Sequence, residues 1–136
     1  MRRAISHPVL VLVALAFASG CQDDTAAGPG VEVPSGRTLS LIDVITNAPG
    51  PKGAAARFRF LAPDLTSEDA EVAAADMQAL CDLFALERTE GMVPEPQQII
   101  ISFANAAVPF GEAAPDVVQF FESFRVENGV CVWEVF

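Results

Sequence analysis

Eighteen carboxylates, eight basic side chains, three cysteines and one histidine are what this chain offers to chemistry. The histidine, His7, lies within the first twenty residues, an export segment by composition. The remainder therefore has no imidazole to act as a general base, to activate a serine or cysteine, or to ligate a metal. Lys52, the single lysine, sits in a Pro/Gly loop, a poor setting for the buried amine that Schiff-base chemistry needs. Glycine-rich phosphate loops and calcium-loop patterns do not occur. A carboxylate-based hydrolase needs two acids converging across a cleft. Glu122 and Glu134 flank the Asn128-Gly129 turn of a hairpin whose register sets them on opposite faces. No catalytic residue, metal ligand or cofactor is expected. The expected class is non-enzymatic, with a carboxylate-based hydrolase as an alternative.

Binding chemistry is better represented. Arg57, Arg59 and Arg125 fall on the outward side of their strands with Ile100, Phe121 and Val132. Such a mixed basic and apolar patch suits an acidic or carboxylate-bearing partner. The alternative is that segment 39–45 covers the apolar part while neighbouring acids pair with the arginines. Phe110, in the loop Val108-Pro109-Phe110-Gly111-Glu112, is either a recognition tip or an aromatic folded back to plug the sheet's edge. Charge argues against nucleic acid as a partner. The formal net charge is −10, and beyond residue 20 six basic side chains face eighteen acidic ones, the reverse of what a polyphosphate backbone requires.

Cysteine usage points to export. Met1-Arg2-Arg3 is a basic start, and residues 9–17 form an apolar run of nine, which suits a signal peptide and is too short to span a bilayer. Residues 1–20 are read as that signal. Ala18-Ser19-Gly20-Cys21 then resembles the attachment motif of bacterial lipoproteins, in which the cysteine is acylated and becomes the new N-terminus. Ala18 stands where leucine is usual, and the alternative is cleavage after Ala18 to give a soluble periplasmic protein. Residues 21–36 combine Asp, Thr, Ala, Gly and Pro without apolar periodicity and read as a tether. A lipid on Cys21 would hold the domain at the periplasmic face of a membrane, within reach of an envelope protein. Cys81 and Cys131 remain. An oxidising compartment and a shared helix–sheet interface make them a disulfide, and neither C-x-x-C spacing nor an activating neighbour supports a redox role.

The elements that must position these residues are legible in the periodicities. Residues 120–136 read as a hairpin about Asn128-Gly129, since a type I′ turn needs positive φ at both central residues. Folding there sets Val126 opposite Cys131 and Phe124 opposite Trp133. One face then carries Phe124, Val126, Cys131, Trp133 and Val135 and is expected to be buried. Residues 56–61 alternate strictly and predict a strand with Phe58 and Phe60 inward; the β-branched run 98–103 predicts a buried one. Thr66-Ser-Glu-Asp69 has capping-box spacing and opens a helix that runs to about Arg88, with Ala73, Met77, Leu80, Cys81 and Phe84 on one face. Ser40-Leu-Ile-Asp43 has the same spacing and predicts a short helix through Thr46. Strand, helix and strand make a crossover between parallel strands. The fold class is α+β in two layers: one long helix on a four-stranded, mostly antiparallel (mixed) sheet ending in the C-terminal β-hairpin, as one domain over 37–136.

The Cys-bearing helix, with Val-Pro-Phe-Gly-Glu at 108–112, Gln-Phe-Phe-Glu at 119–122 and Asn-Gly-Val-Cys-Val-Trp-Glu at 128–134, resembles a family of small exported bacterial proteins of unknown function over about residues 33–136. The resemblance implies that loop 108–112 and the Cys-Val-Trp-Glu strand belong to one unit, and it brings no active site with it. The expected function is that of a cell-envelope lipoprotein acting through protein contacts. The alternative is a soluble periplasmic carrier that grips a small carboxylate with Arg57, Arg59 and Arg125.

Overall fold

A computed structural model describes residues 32–135. Cys21, the signal segment and most of the stretch read as a tether lie outside the described residues.

The hairpin forms where Asn-Gly predicts it. Strands β4 (Gln119–Glu127) and β5 (Val130–Glu134) meet at Asn128 and Gly129, whose φ values of 51° and 73° belong to a type I′ turn. Val126 faces Cys131 and Phe124 faces Trp133, as the turn requires. Strands β2 (Ala55–Leu61) and β3 (Gln98–Ala104) run parallel, with Phe58 beside Ile101 and Phe60 beside Phe103. β4 lies antiparallel to β3. With β1 (Ser40–Ile45) antiparallel to β2, the sheet has five strands in the order β1-β2-β3-β4-β5.

The helical layer connects β2 to β3. Helix α1 (Ala70–Leu80) passes through one π turn, Cys81–Ala85, into α2 (Leu86–Thr89). It begins three residues later than expected, after a turn in which the Thr66 N–H and hydroxyl donate to Asp69 Oδ2 at 2.8 and 3.1 Å. That is the back-reaching half of a capping box. The Thr66 N–H, more than the Arg37 guanidinium, holds the Asp69 carboxyl below its ordinary range. Ala73, Met77, Leu80, Cys81 and Phe84 are buried against Phe58, Phe60, Ile99, Ile101, Phe103 and Phe124. Phe84 stands edge-on to Phe58 and Phe60, with centroids 6.1 and 5.6 Å away. Fully burying side chains of this size contributes about 1.5–3 kcal/mol each. Cys81 and Cys131 form the expected disulfide across the two layers, with Cα atoms 6.1 Å apart.

Three expectations are corrected. Residues 40–45 are an edge strand, and the predicted short helix does not form. The Ser40/Asp43 spacing matched a capping box, but Ile42, Val44 and Ile45 are β-branched, and a six-residue helix is marginal. Pairing with β2 satisfies the backbone instead, and Asp43 turns to Arg59. The sheet therefore has five strands where four were expected. Second, the hairpin face is buried only in part. Phe124 and Cys131 lie under the helical layer, whereas Trp133 and Val135 are 53% and 75% exposed. Trp133 lies beyond the disulfide that ties β5 to the helix, and its indole N–H donates to Glu122 Oε2 at 2.5 Å. Third, packing begins before residue 37. Val33 is in the core, and the Ser35 N–H and hydroxyl both donate to the fully buried Asp76.

Candidate functional site

The helical layer lies against one face of the sheet. The other face is built by strict alternation: Arg57 and Arg59 on β2, Ile100 and Ser102 on β3, Gln119 and Phe121 on β4. Loop 105–118 folds back across this face. Its neck is closed by the Asn105 N–H donating to Val118 O and the Val118 N–H donating to Asn105 Oδ1, both at 3.1 Å. Its tip turns at Gly111, φ 82°, with the Glu112 N–H donating to Pro109 O at 3.2 Å. Between loop and sheet lies a groove of about 270 Å³, lined by Arg57, Arg59, Ile100, Phe110, Glu112 and Phe121 among others.

The two arginines in it are held differently. Arg59 donates through Nη1 to Asp43 Oδ2 at 2.9 Å and through Nη2 to the carbonyl of Val108, so it ties the loop to the sheet. Arg57 makes one long contact, Nη2 to Pro49 O at 3.5 Å, and its buried Nε–H has no acceptor among the described residues. Both guanidiniums stack on Phe110, 5.6 and 5.9 Å from the ring centroid. Cation–π contacts of this kind contribute about 0.5–1 kcal/mol at exposed sites. Phe110 is 48% exposed, so it neither plugs the sheet's edge nor is withdrawn from solvent.

Three of the four expected binding residues, Arg57, Arg59 and Phe110, thus share one groove. Arg125 does not join them. It donates to Glu127 Oε2 at 2.6 Å and to Glu134 Oε1 at 3.0 Å, and these carboxylates hold it firmly in its charged form. Segment 39–45 does not cover the apolar part of this face, because it is the edge strand β1. Loop 105–118 takes that place. Asp43 is a site residue that sequence reasoning missed, since its spacing from Ser40 had assigned it to a helix cap.

A second polar cluster lies around Glu134, which shares the outer face with its β4 neighbour Ser123. It accepts from Lys52 Nζ at 2.8 Å, Arg125 Nη1 at 3.0 Å and Gln98 Nε2 at 3.1 Å. The Lys52 contact, the largest cause, pulls its carboxyl below the usual glutamate range. Glu122 pairs across to the core residue Ile101 and so projects from the other face. The two glutamates do not converge. An acid does pair with Arg125, as the alternative reading of the patch had it, but that acid, Glu134, is buried. Lys52 and Gln98 come from distant segments that no local spacing could have joined to it. Among the described residues, no group of three or more His, Cys, Asp or Glu side chains is placed to hold a metal ion. No described helix is long and apolar enough to cross a membrane.

No curated protein and no solved structure matches the chain. A family profile does match, over residues 13–136, and it takes in the whole described domain with the groove, the Glu134 cluster and the disulfide. On that match the chain belongs to the family of unknown function DUF6497.

Proposed function

We propose that this protein is a non-enzymatic, lipid-anchored module of the cell envelope that works by holding a partner protein in the groove between loop 105–118 and the sheet. The observation that supports it is the assembly of Arg57, Arg59 and Phe110 on the sheet face away from the helical layer. Cationic and aromatic side chains around an apolar floor recognise an acidic, partly apolar segment of a partner. The Cys21 motif supplies the anchor at the periplasmic face, and neither Glu122 nor Glu134 stands opposite a second acid.

Two measurements test this reading. The mass of the intact protein from its native membrane should be that of a chain starting at an acylated Cys21; an unacylated chain starting at Ser19 would remove the anchor. A photo-crosslinking residue at position 110 should trap a discrete envelope protein in living cells. The same residue at Leu83, exposed on the helical layer, should not. Equal yields at both positions would refute a groove-centred contact. The guanidinium of Arg57 beside apolar side chains in a groove supports a second reading, a soluble periplasmic carrier of a small carboxylate. A cavity of about 270 Å³ lies just below the span of about 300–1,000 Å³ common for small-molecule sites. An unacylated chain with no crosslinks at position 110 would favour it.

A further inference from the structure

Among the described residues, Arg37, Lys52, Arg59, Arg88 and Arg125 each form an ion pair with a carboxylate. Arg57 is the exception. In a chain with eighteen acids, this one guanidinium lies in the groove with a buried Nε–H that lacks an acceptor. That Nε–H is enclosed by the protein, so a ligand in the groove meets the terminal Nη groups. Their one hydrogen bond among the described residues is the long one to Pro49 O, and charge-assisted acceptance by a carboxylate is strong there. The rest of the lining limits what can deliver it. Arg59 is neutralised by Asp43, and Glu112 adds a negative charge to the lining. Arg57 thus offers a carboxylate one positive charge with no ion-pair partner, while a more highly charged phosphate or polyanion meets Glu112 and the net charge of −10. The lining also offers apolar surface, from Ile100, Phe110 and Phe121, alongside the polar Ser102 and Gln119. Its volume has room for one or two residues of a chain, not for a folded surface.

We infer that the groove receives the free C-terminal end of a partner polypeptide, with the terminal carboxylate accepting from Arg57 and the last apolar side chain lying against Phe110 and Ile100. Terminal-carboxylate capture is a recurring mode of peptide recognition. The inference rests on the groove being a binding site and adds what enters it.

The test uses the mature protein, isotopically labelled and kept in neutral detergent micelles, titrated with N-acetyl-leucine and followed by amide chemical shifts. N-acetyl-leucine should shift Ile100, Phe110 and Phe121 in a saturable way. N-acetyl-leucine amide, the same shape without the charge, should bind at least tenfold more weakly, and Arg57→Gln should lose a similar factor. Arg57→Lys keeps the charge but not the planar pair of Nη donors and should fall between; unchanged shift dispersion shows that both variants fold. Equal binding of acid and amide, or undiminished binding to Arg57→Gln, would overturn the carboxylate contact. Tighter binding of phenyl phosphate than of N-acetyl-leucine would overturn the single-charge argument. Absence of N-acetyl-leucine binding would overturn the inference itself. Crosslinking at position 110, if it persisted then, would leave the broader reading of the groove in place.

Discussion

Glu134 is a carboxylate that water hardly reaches, and Lys52, Gln98 and Arg125 stand in for its hydration shell. Its folded-state titration lies below the ordinary value of 4.5. As pH falls, the unfolded chain therefore takes up its proton first. The stabilisation is fully present above 4.5 and is lost as pH drops through the folded value. Glu134→Gln should cost about 1–2 kcal/mol near pH 7, a modest figure because Lys52 and Arg125 are half exposed and screened. The gap between the two proteins should narrow as pH falls below 4.5, as thermal unfolding across pH would show. A constant gap would mean that the charge is not what matters. Gly50 packs against the same cluster. A Cβ there would stand 2.4 Å from Gln98 Oε1 and 3.3 Å from Ala55 Cβ. Gln98 is buried, and its amide nitrogen donates to both Ser123 and Glu134, so it has nowhere to swing. Gly50→Ala should lower stability by about 1–3 kcal/mol, read from the urea midpoint.

The Cys81–Cys131 bond is where the two layers are covalently joined, across a separation of fifty residues. The loop-entropy model assigns a closure of this length about 4 kcal/mol, acting mainly on the unfolded chain. Replacing both cysteines by serine should cost about that much in denaturant unfolding, with the native shift pattern largely kept. A much smaller loss would mean that the unfolded chain stays compact without the bond. This pairing was legible in the sequence because Cys81 belongs to a helix stripe and Cys131 follows from the Asn-Gly register, two strong local signals that agree. The same was true of β2, β3 and the hairpin. What local signals could not decide was competition. Ser40 and Asp43 fit a helix cap as well as a strand, and the choice was settled by pairing with β2, a contact across the chain. Trp133 was assigned to the buried face by alternation alone, which says nothing of how far the covering helix reaches. The groove was half legible for the same reason. Alternation placed Arg57 and Arg59 on one face, but nothing local showed that loop 105–118 would fold onto it, or that Arg125 would be drawn toward Glu127 and Glu134.

At the scale of the whole molecule, charge is distributed in an unusual way. Among the described residues every Lys and Arg except Arg57 is paired with a carboxylate, which leaves an excess that is mainly acidic. Salt acts on these two populations with opposite sign. It weakens the exposed pairs, each about 0–1 kcal/mol at most, and it screens repulsion among the unmatched acids. The Arg37 and Glu134 contacts are largely sheltered, with side chains 7% and 6% exposed, so salt reaches them least. Relief of repulsion should therefore win near pH 7. Raising sodium chloride from about 10 to about 300 mM, a change in screening length from roughly 30 to roughly 6 Å, should raise the melting temperature by about 4 °C, equivalent to about 0.5–1 kcal/mol in a domain this small. Near the isoelectric point, pI about 4.3, much of the repulsion is gone, and the same salt step should leave the melting temperature unchanged or lower it. Thermal melts at the two pH values distinguish these cases. A fall with salt at pH 7 would mean that the surface pairs, not the acidic excess, govern the stability of the fold.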